Sequence, residues 1–410
     1  MENVQIESLR KLLSDGSKTF KEISDELGVS WEQVRHFYRK NKDKFHFPSR
    51  NAKQKIIHSS VNQNVEAARQ RAYRLSEIDH LKKLTERKAV INEWRDALRD
   101  AALTIEPPKL IPALREIKKF DDEVAVLVIG DVHVGQHTPA RLSAGYTQTI
   151  EVTREQFTRL GEKLLQAWEI QSKSILWKEL RIIDLGDDVE GSGMRASQHR
   201  FADPLVTQQT AAYGRMLADL ILTALQVFPK VIVERIPGNH GRTTERAGIA
   251  GLSDLDPSDS FDALAGLFTI EILRDAIAQK RVEIINHEGF WGVSEILGKR
   301  IIFEHGASLR TSGGSWAGIP FYGIHRAASN YRDLEGEYSM LFLGHYHKAY
   351  MLPVGFGAHA IGNGCFPPSS PFVAGALHGA IRPTQMLLSV HKDVGMTMAK
   401  YLYLDTDKDV

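Results

Sequence analysis

The rhythm of hydrophobic and polar positions changes twice along this chain. Over residues 5–45 apolar side chains recur every three or four positions in short stretches, which predicts three short helices. Within them, TFKEISDELGVSWEQVRHFYRKN places one helix over Thr19 to Leu27, a turn at Gly28 and a further helix starting near Ser30. Ile23, Leu27, Val29, Val34 and Phe37 would form a small shared core, and Ser24 is small where the two helices cross. Ser30 followed three residues later by Gln33 reads as a capping box. Residues 46–60, HFPSRNAKQKIIHSS, lose the rhythm and read as a polar, basic linker. A segment without Pro or Gly follows, and over 62–102 it predicts one long amphipathic helix. Leu84, Ile91 and Leu98 stand a heptad apart with Trp94 and Ala101 between them, a face that would pair with a second chain or lie back on the rest of the protein. The Pro-rich IEPPKLIPAL (105–114) ends it.

From about residue 120 the pattern becomes short apolar runs separated by helical stretches. The runs are VAVLVIG (124–130), LRIIDLG (180–186), VIVERIPG (231–238), RVEIINH (281–287), KRIIFEHG (299–306) and MLFLGH (340–345). Runs of this length without alternation predict strands buried on both faces. EQFTRLGEKLLQAWEIQ and TAAYGRMLADLILTALQVF between them have helical period, and RPTQMLLSVHKDVGMTMAKYLYL predicts a hairpin turning at Lys392 to Gly395. The expected organisation is a small all-α domain over 1–48, a linker and long helix over 49–118, and a layered, sandwich-like α/β domain over 119–410.

Charge adds an asymmetry to this picture. Residues 1–120 hold 25 Lys and Arg against 17 Asp and Glu, whereas the rest of the chain is acidic. A basic N-terminal portion on an acidic body suggests an arm that faces nucleic acid. Trp31, Gln33, Arg35, His36, Arg39 and Lys40 on the helix after Gly28 suit phosphates and base edges. That pair of helices resembles the helix-turn-helix of DNA-binding proteins. The lone cysteine, Cys365, excludes an intrachain disulfide and a Cys-based zinc finger. No run approaches the length of a membrane helix, and charges stand where a signal peptide needs its apolar core. We therefore expect a cytoplasmic protein with DNA as partner, no membrane association, and a surface on the 62–102 helix for self-pairing.

The polar residues at the strand ends carry the candidate chemistry. GDVHVG supplies Asp131 and His133, LGDDVEG supplies Asp187, Asp188 and Glu190, PGNHGR supplies Asn239 and His240, FEHGAS supplies His305, and GHYH supplies His345 and His347. Carboxyl ends of strands in α/β sheets are where ligands bind. In extended chain His345 and His347 would share a face, as two imidazoles serving one metal site would. Oxygen and imidazole donors without thiolate suit Mn, Fe or Zn, and so large a set suits two bridged ions better than one.

Together and in this order the five blocks resemble the calcineurin-like metallophosphoesterase superfamily, over roughly residues 124–405. More loosely, the chain resembles phage- and prophage-encoded phosphoesterases and SbcD-type repair nucleases. The resemblance implies a dinuclear site in which Asp131, His133, Asp187 and His347 hold one ion. Asp187, Asn239, His305 and His345 would hold the other. It implies hydrolysis of a phosphate ester by a metal-activated water, with His240 stabilising or protonating the leaving group. The family carries an acidic residue after G-N-H to orient that histidine, and here the position is Gly241. Arg242 is placed to contact phosphate or to be a solvated loop residue, while Asp188 and Glu190 read as supporting or capping residues. A DNA nuclease with two divalent ions, Mn first, is the expected function. A phosphatase or small-molecule phosphodiesterase with a protein-docking N-terminal domain is the alternative, and a metal-dependent DNA-binding regulator a third reading. His199, in MRASQHRFADP, and Trp316 and Phe321, in TSGGSWAGIPFYG, are further candidates for a substrate loop.

Overall fold

The computed structural model describes residues 3–15, 18–44, 50–104, 122–193, 198–243, 256–309, 315–316, 318–376 and 380–405. The Pro-rich segment 105–114 and part of the Gly-rich loop at 311–317 lie outside them. The chain divides into two compact units, Met1–Ile91 and Asn92–Val410.

The first unit begins with three short helices, α1 (Asn3–Asp15), α2 (Phe20–Leu27) and α3 (Trp31–Lys40). Both α2 and α3 start in capping boxes, Thr19 with Glu22 and Ser30 with Gln33, and Gly28 closes α2 at φ 60°. Leu9, Leu13, Ile23 and Val34 are buried together, with Leu27, Val29 and Phe37 packed against them. Helix α4 (Arg50–Leu103) is longer than expected. It takes in residues 50–60, whose polar composition suggested a linker but which contain neither Pro nor Gly to stop a helix.

In the second unit the last turns of α4 pack inward. Trp94 stacks on Phe261 at 5.3 Å, and Ala102 is buried in the core with Leu98 against it. Two sheets follow. The first has the order β11-β10-β1-β2-β3-β4, built from β1 (Glu123–Ile129), β2 (Glu179–Asp184), β3 (Lys230–Arg235), β4 (Val282–Asn286), β10 (Thr384–His391) and β11 (Gly395–Tyr403). The second has the order β5-β6-β7-β9-β8, from β5 (Trp291–Ile296), β6 (Lys299–Glu304), β7 (Met340–Leu343), β8 (Tyr350–Gly355) and β9 (Ala358–Gly362). Strands β1 to β4 are mutually parallel, and β6, β7 and β9 likewise.

Side-chain parity explains why the apolar runs do not alternate. Along β1, Ala125, Leu127 and Ile129 join a core with helices α5 (Ile150–Gln171), α6 (Val206–Ala224), α7 (Phe261–Ile272) and α8 (Arg274–Ala278). Val124, Val126 and Val128 instead meet Ile301, Phe303, Phe342 and Ile361 of the second sheet. Both faces are dry, so both parities are apolar. A third core lies between the second sheet and α9 (Phe321–Glu335), and the short α10 (Pro371–Ala376) precedes β10. The result is helices, sheet, sheet, helix. One expectation fails: β4 is an edge strand whose alternate residues are only partly buried or exposed, so RVEIINH is not covered on both faces.

Candidate metal centre

The loops after β1, β2, β3, β6 and β7 converge at one end of the two sheets. His133 Nε2 lies 3.1 Å from His347 Nε2, and Asp131 Oδ1 is 3.4 Å from the same His347 atom. His305 Nε2 lies 3.1 Å from Asp187 Oδ2, 3.0 Å from Asn239 Oδ1 and 3.3 Å from His345 Nδ1. Asp187 Oδ2 stands 3.8 Å from His133 Nε2, between the two groups. The structure thus brings all seven expected ligands together, as Asp131–His133–His347 and Asp187–His305–His345 with Asn239 beside them. His240 joins His133 and Asp187 in a third overlapping group.

Backbone geometry is specialised here. Among the described residues, nine non-glycine residues have positive φ, and five of them are Asp131, His133, Asp187, His345 and His347. Each left-handed residue costs on the order of 1 kcal/mol, and such strain gathers where function demands it. His345 and His347 therefore do not share the face of an extended strand, although their spacing predicts it. β7 ends at Leu343, and each histidine turns in a left-handed conformation, one toward His305 and the other toward His133. Glycines make the approach possible: a Cβ on Gly238 would sit 2.1 Å from Asp187 Oδ1.

The electrostatics follow from burial among opposed charges. Burial resists ionisation of Asp131, but His347 and His305 hold its carboxyl below the usual range. Burial likewise resists at Asp187, and His305 and His240 hold it well below. His305, despite desolvation, is pushed up to about 9 by Asp187, whereas burial and the neighbouring His305 push His345 down to about 3. Burial and His240 push His133 down.

Metal ions fit this donor set. Imidazole nitrogens that face one another at 3.1 and 3.3 Å have the spacing of adjacent ligands on one ion at metal–nitrogen distances of roughly 2.0–2.1 Å. The hydrogen bonds behind them fix ring orientation, His133 Nδ1 to Glu190 Oε2 at 3.0 Å and His305 Nδ1 to the Leu185 carbonyl at 2.9 Å.

His240 is buried beside this cluster, its ring edge-on to His133 at 4.4 Å. Its backbone N–H donates to Asp187 Oδ1 at 2.8 Å. Nδ1 lies 3.1 Å from Gln198 Nε2, 3.2 Å from the Glu190 carbonyl and 3.3 Å from Glu190 Oε2. Glu190, read from sequence as a supporting residue, is therefore the carboxylate partner that Gly241 cannot be. Burial resists its charge, but His240 and His133 keep it ionised far down in pH.

Other expected residues divide. Asp188 faces away from the cluster and pairs with Arg235, which also holds Asp184 at 2.7 Å. Arg242 is half-buried, its backbone bridged to Ser260. In the loop containing His199 it is Gln198 whose side chain reaches His240 and Glu190, while His199 is exposed. Trp316 is 73% exposed and 6.3 Å from Phe321, and a Cβ on Gly318 would stand 4.0 Å from Lys348 Nζ, next in sequence to His347. In the first unit Trp31, Gln33, Arg35, His36, Arg39 and Lys40 are all exposed on α3. Gln33 Oε1 is engaged by the Ser30 N–H at 2.9 Å and Arg35 lies over the Trp31 ring at 5.0 Å.

Asp262 is the residue that sequence reading missed. It is 1% exposed, one residue inside α7, and its carboxylate accepts backbone N–H groups from Asp187, Val189 and Gly238. Burial and Asp187 push it up to about 6. SDSFDAL offers only a helix-start signal, and nothing local points 75 positions back to Asp187.

No protein-family model matches the chain, and no curated protein matches it. Solved structures do. An archaeal phosphodiesterase is 9% identical, over 68% of this chain and 99% of that one, with a TM-score of 0.29. A dimetal phosphatase from Danio rerio is 11% identical, over 69% and 99%, with a TM-score of 0.33. Vps29 from Chaetomium thermophilum is 11% identical, over 68% and 96%, with a TM-score of 0.27.

Proposed function

We propose that this chain is a dinuclear-metal phosphodiesterase that cuts DNA. The observation that carries the reading is the pair of donor groups, Asp131–His133–His347 and Asp187–His305–His345, with Asp187 Oδ2 3.8 Å from His133 Nε2 and His240 against them. Asp131, His133, Asp187 and His347 would hold one divalent ion, and Asp187, Asn239, His305 and His345 the other. Bound there, such ions supply charge neutralisation at phosphoryl oxygens and a water acidic enough to attack near neutral pH. An oxygen and imidazole donor set makes Mn²⁺ our first choice, with Fe and Zn behind it.

The chain's own residues do the rest. Glu190 faces His240 Nδ1, and the imidazolium that its carboxylate favours would give the Nε2 proton to the departing oxygen and be left as the neutral ring. Asp187 fixes the backbone of His240, so the acid and the donor groups share one frame. DNA as substrate is supported by the exposed cationic residues of α3, Arg35, Arg39 and Lys40, with Arg35 over the Trp31 ring.

The test is incubation of end-labelled single- and double-stranded DNA with wild type and His240→Ala, with Mn²⁺ or with EDTA. We expect Mn²⁺-dependent cutting, abolished by EDTA and lowered about 10²- to 10⁴-fold in the variant. Hydrolysis of a simple phosphodiester without any cutting of DNA would replace this reading by a small-substrate enzyme whose first unit docks another molecule.

A further inference from the structure

The glycine after His240 leaves a space, and another element fills it. A Cβ on Gly241 would lie 2.5 Å from Asp262 Oδ1, 2.8 Å from its Cγ and 2.9 Å from Ser260 Oγ. The site therefore has a carboxylate next to position 241, but it arrives from the start of α7. There it is fixed at both ends. Ser260 Oγ accepts the Asp262 N–H at 3.1 Å, and the Phe261 N–H donates to the Gly241 carbonyl at 2.7 Å. Asp262 Oδ2 accepts the N–H groups of Gly238 at 2.8 Å and Asp187 at 3.1 Å, and Oδ1 accepts that of Val189 at 3.3 Å.

Those three donors belong to the two loops that deliver Asp187, Glu190, Asn239 and His240. Asp187 itself stands at φ 55°, a conformation that needs holding. A carboxylate with three backbone N–H bonds is a strong clamp, since bonds to an ionised acceptor are shorter and roughly twice as strong as neutral ones.

We propose that Asp262 is a positioning residue for the metal centre, a carboxylate that reaches from α7 into the space beside Gly241. It touches none of the reacting atoms. It acts by pinning the β2 and β3 loops to one another, so that Asp187 serves both donor groups while its other oxygen holds the His240 backbone. The catalytic consequence rests on the function proposed above; the clamp itself does not.

The test is a reciprocal exchange of the carboxylate between the two positions. Asp262→Ala, Gly241→Asp and the double variant Gly241→Asp/Asp262→Ala are compared with wild type by three readouts. These are hydrogen exchange at the Asp187, Val189 and Gly238 amides of the metal-free protein, Mn²⁺ binding, and kcat and KM on a chromogenic phosphodiester. Gly241 has no left-handed φ to forbid a side chain, and the atoms nearest to a Cβ there belong to Asp262 and Ser260. Asp262→Ala should speed exchange at those amides while leaving β1 unchanged, weaken Mn²⁺ binding about 10- to 100-fold, and lower kcat more than it changes KM. Gly241→Asp alone should also be impaired, because two carboxylates then share one space. The double variant should recover to within about fivefold of wild type, the non-additivity expected of groups that share a role.

Unchanged exchange and Mn²⁺ affinity in Asp262→Ala, or a double variant no better than Asp262→Ala, would overturn the proposal. If Asp262→Ala does not fold, Asp262→Asn keeps the shape and loses the charge, and unaltered exchange there overturns it equally. A wild-type protein that binds no Mn²⁺ defeats the function proposed above, while the exchange data still decide the role of Asp262.

Discussion

Glu234 and Arg235 are neighbours on β3, and their side chains answer to different parts of the molecule. Arg235 turns to the helical layer, where Asp184 and Asp188 neutralise it and Tyr213 donates to Asp184 at 2.7 Å. Glu234 serves the other side, accepting from Arg181 at 3.1 Å and from Ser294 on β5, with His287 at 3.2 Å. Burial resists its charge, but bonds from His287 and Ser294 and the Arg181 guanidinium hold its carboxyl below the ordinary 4.5. A depressed carboxyl binds fewer protons in the folded than in the unfolded state, so it adds stability above about pH 4.5 and loses it as pH falls through the folded value. Glu234→Gln should cost about 1–3 kcal/mol at pH 7. The gap from wild type should shrink in acid, as read by urea unfolding at pH 7 and pH 3. An equal gap at both would show that the charge is not what matters.

Element by element, what was legible in the sequence depended on how locally each feature is encoded. Strands β1, β2, β3, β6 and β7 announce themselves because both of their faces are dry, and each ends in glycine beside a polar side chain. That combination exposed the seven donor residues and His240 together. The hairpin of β10 and β11 was equally plain from its turn, and the two capped helices of the first unit from theirs. Strands β5 and β8 were silent: β5 alternates buried with part-exposed or exposed positions and β8 mostly part-buried with exposed ones, and both lie at the edges of the second sheet and bear no ligand. β9 was silent too, a short strand placed beside β7 by pairing that its own residues do not specify. Asp262 and Gln198 stayed hidden for a related reason. An N-terminal residue of α7 and a loop glutamine acquire their roles only when the chain brings them to loops from other strands. His199 drew notice because imidazole is conspicuous, although the contact belongs to its neighbour.

At the scale of the whole molecule, the exposed cationic residues of α3 and the donor cluster of the α/β unit lie in separate units. Among the described residues, no helix is long and apolar enough to cross a membrane. If DNA is the substrate, the two contributions should separate cleanly. Deleting residues 1–50 removes Arg35, Arg39 and Lys40, and should reduce the slope of log affinity against log salt by about 3 on duplex DNA. Mn²⁺-dependent hydrolysis of a small chromogenic diester should survive the deletion. An unchanged salt slope would mean that α3 does not meet phosphates.

A dinuclear centre requires Asp187 to serve both groups of ligands, and one titration decides whether it does. Mn²⁺ binding to the metal-free wild type and to Asp187→Ala should be followed by calorimetry, with bound metal counted after desalting. We predict two ions per wild-type chain, and in the variant the loss of at least one together with a large fall in hydrolysis. A variant that keeps both ions and its activity would contradict the shared ligand, and the dinuclear centre built on it.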